Sequence, residues 1–410
     1  MEVLNSIQKT DFWTPHFTSI INWVLRCGLS ILRSAKPSEK PWVAIIDASI
    51  GVGTKKILVV LRVPLDLLKR KKNTALVLED TECVGVHISD SWNGESVQQK
   101  LIETFDQTGF PVAVLKDQGS DIKRGIKLLS ESKNIPIETI EDVGHVASNA
   151  LKAEFSELDS FKDFMGSVNM IRNQIRQSRV SFLSPPKLRS HSRFMSIGRL
   201  AKWGKRILEV SEKAKKNNDT KLSEIMNLYF SGVELCGEFL GRFISTCEGV
   251  DSFLKIAKTE GIGKLNTRKL KLVLSKMPYK SKTRLELRNW LKRHEKIRSK
   301  LAKKTGDHLL NLMVSTDVLE SLFGKFKQVI FRCPNKEYGK SVLVIPLLCG
   351  KLDYETVRKH ISSTSQNDLK IWKDSAVKTT QLQLKMRFHA GKLRGEMVPD
   401  SRKNFPEEPP

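Results

Sequence analysis

The chain has 410 residues, enough to bury at least one large core, and it carries 70 Lys and Arg against 45 Asp and Glu, a formal net charge of +25. So basic a balance points to a polyanionic partner and away from a small neutral substrate. The excess is concentrated, since residues 161–300 hold 32 basic and 12 acidic side chains, a net of +20.

Six cysteines stand at 27, 83, 236, 247, 333 and 349, without the short paired spacing of a zinc site. Scattered thiols suit a reducing compartment. No stretch is apolar for long enough to cross a membrane, and the first residues lack the pattern of a signal peptide. The expectation is a cytoplasmic protein with no membrane partner, working on nucleic acid.

Residues 14–33 read as an amphipathic helix, with Thr14 as N-cap, Pro15 at the first helical position, and Phe17, Ile20, Ile21, Val24, Leu25 and Leu32 on one stripe. Two β-branched runs follow, Trp42–Ile46 and Ile57–Val63, and they form a hairpin around a turn at 51–53. That turn is not a phosphate loop: Ala48 and Thr54 stand where glycine and lysine are needed, and a strand follows instead of a helix. Asp47 closes the first run, and a carboxylate beside five apolar residues needs a cation or hydrogen bonds.

A third strand is expected at Cys83–Ile88, a helix at Glu95–Gln107, and a short apolar strand at Val112–Leu115 that ends in Lys116 and Asp117. A helix over 120–132, a strand at Ile135–Ile140 and the motif Asp142-Val-Gly-His145 complete an α/β plan with a mixed sheet.

From 146 to 310 the strand signals stop, and helices are expected at 150–180, 195–217, 221–247, 250–258, 266–275 and 283–303. The segment Asn311–Ile330 returns an apolar stripe of Leu319, Leu322, Phe323, Phe326 and Ile330, with Glu320, Gly324 and Lys327 on a separate polar flank. A Pro/Asn/Gly loop at 333–339, an apolar run Val342–Leu348 and a helix near 353–361 follow, and the proline-containing tail beyond 390 reads as disordered.

Asp47, Asp117 and Glu320 share one property: each is a carboxylate at the edge of strongly apolar structure. Phosphoryl transfer on nucleic acid uses such a set, because carboxylates are the hard oxygen ligands that hold two divalent ions. Asp121 and Asp317 are the rivals to Asp117 and Glu320. The stretch Phe182–Trp203 mixes Arg189, Arg193 and Trp203 with further basic and aromatic side chains, and Arg206 follows, a composition suited to phosphate contact and base stacking. His145 is either a contact to DNA or a structural hydrogen-bonding group, and Trp203 is either a stacking platform or part of a helical core.

The segments WVAIIDAS, VAVLKDQGSDIKRG, IEDVGHVASN and above all STDVLESLFGKFK resemble the DD-E (DDE) transposases of bacterial insertion sequences, over roughly residues 15–380. The resemblance implies an RNase H-like mixed sheet with flanking helices, interrupted by a large all-helical insertion. The division it implies is 1–40 as an N-terminal helical segment, 41–145 and 311–389 as the two parts of the catalytic domain, 146–310 as the basic insertion, and 390–410 as the tail.

It further implies that Asp47, Asp117 and Glu320 hold two Mg²⁺ or Mn²⁺ ions, and that Lys327, with Lys325 beside it, contacts DNA phosphate. The partner would be double-stranded DNA, as transposon ends and target, bound by a homodimer or higher oligomer in a bacterial nucleoid. Two positions depart from the pattern. Met313 and Thr316 stand where some of these families have tyrosine and arginine, seven and four residues before the glutamate. A non-catalytic DNA-binding descendant and a structure-selective nuclease of the same fold are the alternative functions.

Overall fold

The computed structural model describes residues 15–48, 55–70, 74–188, 193–331, 338–377 and 381–390. Thr14, the turn at 51–53, Arg189, most of the 333–339 loop and the tail from 391 lie outside the described residues.

The β-branched runs form strands β1 (Trp42–Ala48) and β2 (Lys56–Pro64), paired antiparallel with Ile45 opposite Leu61. Strand β3 (Glu82–Ser89) pairs antiparallel with β2, whereas β4 (Ala113–Lys116) and β5 (Glu138–Glu141) run parallel to β1. The order β3-β2-β1-β4-β5 is that of an RNase H-like mixed sheet. The parallel members are joined by helical crossovers, as parallel pairing requires.

Helix α1 (Phe17–Ser34) precedes the sheet, and a short helix α2 (Leu65–Arg70) follows β2. Between the later strands lie α3 (Gly94–Thr108) and α4 (Ser120–Lys133), and α5 (Val143–Phe155) follows β5. Strand side chains alternate between faces. Ala44, Ile46, Leu58 and Val114 pack on Val97, Leu101 and Phe105 of α3 and on Ile122, Ile126 and Leu129 of α4. Val43, Ile45, Val59 and Leu115 face a second core shared with α5 and with buried side chains between Phe161 and Cys349.

Six helices make up the insertion among the described residues: α6 (Asp159–Ile175), α7 (Ile197–Lys216), α8 (Thr220–Leu235), α9 (Gly237–Glu260), α10 (Lys264–Lys276) and α11 (Lys282–Thr305). Phe161, Phe164, Phe230, Phe243, Phe253 and Trp290 are buried in one core that is continuous with Ile140 and Leu115 of the sheet. The insertion also shuts the edge of β5. Trp290 Nε1 donates to the Glu141 carbonyl, and the Glu141 N–H donates to His294 Nε2, so two α11 side chains stand where a sixth strand would pair. The chain ends in α12 (Asp317–Ile330), a 3-10 stretch Lys340–Leu348, α13 (Tyr354–Ser362), α14 (Gln366–Ala376) and α15 (Gln381–His389).

Several expectations are corrected. The N-cap of α1 is His16, whose ring accepts from the Thr18 N–H. The apolar stripe of α1 is only half used: Leu25 and Leu29 pack on Leu343 and Leu369, whereas Phe17 is 64% exposed and Ile20, Ile21 and Val24 are exposed with it. Gly28 lets the 3-10 stretch approach, since a Cβ there would lie 1.8 Å from the Leu343 carbonyl oxygen. The helix expected over 221–247 breaks between Leu235 and Gly237, and its second half continues to Glu260.

The helix expected from Asn311 starts only at Asp317, because the preceding backbone has other partners. Leu312 bridges to Ile262, the Val314 carbonyl accepts from Val143 N, and Thr316 N donates to Asp142.

Candidate active site

Register places the acidic residues. Ile46 pairs with Lys116 and Lys116 with Glu141, so Asp47, Asp117 and Asp142 are the next residues along three adjacent parallel strands. Neighbouring strands lie about 4.8 Å apart, which puts three carboxylates in a row at one end of the sheet. Asp47 alternates with Ile45 and Val43 and so faces the core to which α12 contributes Leu319, Leu322 and Phe323. Glu320 lies in the first turn of that helix.

The electrostatics bind Glu320 to the row. Burial pushes the Asp47 carboxyl up from 3.8 to about 8, and the charges of Asp117, Glu320 and Asp142 push the same way against one N–H bond from Ala48. Burial raises Glu320 as well, followed by Asp317 and Asp142, while Lys258 and His145 oppose the rise. Asp47 Oδ1 accepts from Ala48 N at 2.7 Å and Asp117 Oδ1 from Gly119 N at 2.9 Å. Among the described residues nothing donates to the second oxygen of either.

The two rivals have other tasks. Asp317 is held by Lys258, whose ammonium lies 2.7 and 2.8 Å from its two oxygens. Lys258 reaches it past Gly144, where a Cβ would stand 3.5 Å from Nζ. Asp121 lies exposed in the first turn of α4.

Asp142 does not point at solvent. It is 2% exposed, caps α5 by accepting from His145 N at 2.8 Å, and accepts from Thr316 N and Thr316 Oγ1 at 2.8 and 3.1 Å. One buried carboxylate thus joins the end of β5 to the entry of the glutamate-bearing helix. Thr316 is one of the two positions that depart from the transposase pattern; the other, Met313, is buried in the core.

No protein-family model matches this sequence, and no curated protein matches it. Among solved structures the chain is similar to the Drosophila P element transposase strand transfer complex, with 10% identity and a TM-score of 0.43 over 87% of this chain and 90% of that one.

The remaining candidates are dispersed. His145 sits at the row, half-buried. Lys327 and the exposed Lys325 lie further along α12, beyond Gly324, around which a Cβ would meet open space. Arg193 and Arg206 are exposed on the insertion. Trp203 packs on the insertion core: its Nε1 donates to the Leu183 carbonyl at 2.9 Å and its ring centroid lies 6.4 Å from that of Phe230. Sequence reasoning missed Lys258 and Thr316 and gave Asp142 no role. For Asp142 a signal existed, since it occupies the same place after its strand that Asp117 occupies after the neighbouring one.

The donors at this site fit a hard divalent cation. They are carboxylate oxygens with no ion-pair partner among the described residues, and Asp47 carries a mutual repulsion that a bound cation would relieve. Among the described residues no group of three or more His, Cys, Asp or Glu side chains is arranged to hold a metal ion.

Proposed function

We propose that this chain is a metal-dependent enzyme that cuts DNA strands and joins them, a transposase of the DD-E kind. Asp47, Asp117 and Glu320 would hold two Mg²⁺ or Mn²⁺ ions. The observation that carries the reading is the position of Asp47 and Asp117, each the next residue after the Ile46–Lys116 pair on adjacent parallel strands, with the Glu320 charge felt at Asp47.

Such ions supply an activated water or 3′-hydroxyl and neutralise charge on the leaving oxygen. The chain does the rest. Ala48 N–H and Gly119 N–H fix one oxygen of each strand-end aspartate and leave the other free to ligate. The Lys258–Asp317 pair keeps a second acidic side chain of α12 away from competition with Glu320. Asp142 holds that helix in register against β5. The carboxylate row, which would repel phosphate by itself, gives a simple DNA-binding protein no advantage.

The test is cleavage of plasmid DNA and joining of labelled DNA ends in Mg²⁺ or Mn²⁺. Asp47→Asn, Asp117→Asn and Glu320→Gln should each lower cutting at least about 100-fold, the order expected for a group that acts on transition-state charge, while DNA binding persists. Asp317→Asn should keep most activity. Cutting that survives in excess EDTA, or an active Glu320→Gln beside a dead Asp317→Asn, would remove the assignment.

A further inference from the structure

The basic excess of the insertion is not spread over its helices. Residues 264–304, which make up α10, α11 and the turn between them, hold 16 Lys and Arg and two Glu, a net of +14. Elsewhere in the insertion several cations are consumed internally: Lys202 pairs with Asp251, Lys205 with Glu248 and Lys215 with Glu234, tying α7 to α8 and α9. On α10, α11 and the turn between them, Lys276, Lys280, Lys282, Arg288 and Lys292 are exposed and have no acidic partner among the described residues.

The turn is built to display two side chains. The Pro278 carbonyl accepts from Ser281 N at 3.1 Å, so Tyr279 and Lys280 are the central residues of a closed turn. Tyr279 is 87% exposed, and the Arg284 guanidinium lies 5.3 Å from its ring centroid, which leaves the opposite face of the ring open.

The turn is also anchored. Buried Glu154, at the far end of α5 from Asp142, accepts from Ser281 Oγ and Thr283 N at 2.7 and 2.8 Å and pairs with Arg242. Burial alone would raise its pKa, but the bonds from Ser281, Thr283 and Arg242 together hold it below the ordinary carboxylate value.

The direction of α11 fixes where this tip stands. Lys300 pairs with Glu138 at the start of β5, and Arg293 with Glu141 at its end. Helix α11 therefore runs antiparallel to β5, and the eight residues from Trp290 back to Lys282 extend about 12 Å past the end of the sheet that bears the carboxylate row. From the other side, the 12 residues separating Asp142 from Glu154 along α5 span about 18 Å. At 3.4 Å per base pair that distance is about five base pairs of duplex.

We propose that the α10–α11 tip is a second nucleic-acid contact, where Lys280, Lys282 and Arg288 engage backbone phosphates about five base pairs from the cut and Tyr279 stacks on an unpaired base. The assignment rests on the DNA reading of the carboxylate site but is tested without catalysis.

Binding of a 30-base-pair duplex to the full chain would be measured in EDTA across a salt series. Replacing Lys280, Lys282 and Arg288 together by Ala should lower the slope of log affinity against log salt by about 2–3, near 0.9 for each phosphate no longer neutralised. The same replacement at Lys213, Lys216 and Lys221, exposed on α7 and α8, should leave the slope unchanged. A forked duplex should bind more tightly than a blunt one, and Tyr279→Ala should erase that preference while Tyr279→Phe keeps it. An unchanged slope in the tip variant, or an equal fall in the control variant, overturns the phosphate contact. A fork preference that survives Tyr279→Ala overturns the stacking. Because no cutting is involved, failure of the catalytic assignment would appear separately, as loss of the metal-dependent activity with these slopes intact.

Discussion

Asp47 is a carboxyl group displaced far from its ordinary titration range, and the displacement has a sign. A carboxyl that titrates near 8 in the folded protein and near 4 when unfolded keeps its proton in the fold over a range where the unfolded chain has lost it. Its contribution to stability is present in full below pH 4 and is lost as the pH rises through 8. Asp47→Asn removes the liability. In EDTA the variant should match the parent near pH 4 and exceed it by a few kcal/mol at pH 9, as read by chemical denaturation. Millimolar Mg²⁺ should raise the melting temperature of the parent and leave the variant unmoved. An equal response of both proteins to Mg²⁺ would show that the ion binds elsewhere.

At the scale of elements, the joint between β5 and α12 rests on one side chain. Asp142→Ala leaves Thr316 N–H and Oγ1 without their acceptor and removes the cap of α5, a combined cost of about 2–4 kcal/mol. Thr316→Val removes the hydroxyl alone and should cost about 1 kcal/mol. If the joint positions Glu320, cutting should fall well beyond what either loss of stability explains at a temperature where both variants remain folded, and Asp142→Ala should be the worse.

The elements themselves were largely readable in the sequence, since β-branched runs and apolar stripes mark β1, β2, α3 and α4 within a few residues. What could not be read was competition for backbone groups. Nothing local in 311–316 forbids a helix; the segment is extended because Ile262, Val143 and Asp142 take its hydrogen bonds, and all three are distant in sequence. For the same reason Lys258 went unnoticed: a lysine among many becomes particular only when α9 brings it to Asp317.

For the whole molecule, the insertion reads in sequence as a basic all-helical block, yet the structure makes it a wall of the sheet-bearing half. Its phenylalanine core is continuous with Leu115 and Ile140, and α11 covers the outer edge of β5. A chain lacking 161–300 would expose both the apolar face and an unpaired strand, so it should collect in the insoluble fraction instead of yielding a compact fold. A soluble, cooperatively melting product of that deletion would show that the sheet stands alone.

The histidine on that wall also sets how the protein meets acid. His294 Nδ1 donates to the Trp290 carbonyl while Nε2 accepts from the Glu141 N–H, two roles that only a neutral ring can fill together. Burial pushes its pKa down from 6.5 to about 4, so between those values the unfolded chain gains a proton that the fold refuses, and stability drains away as the pH falls. Asp47 drains it in the opposite direction. From about pH 4 to 6.5 the two slopes therefore nearly cancel, and from 6.5 to 8 only the loss at Asp47 remains, so the ion-free protein sits on a plateau in acid and loses stability through neutrality. His294→Gln, which can both donate and accept without ionising, should turn that plateau into a slope, with stability falling steadily as the pH rises from about 4 to 8.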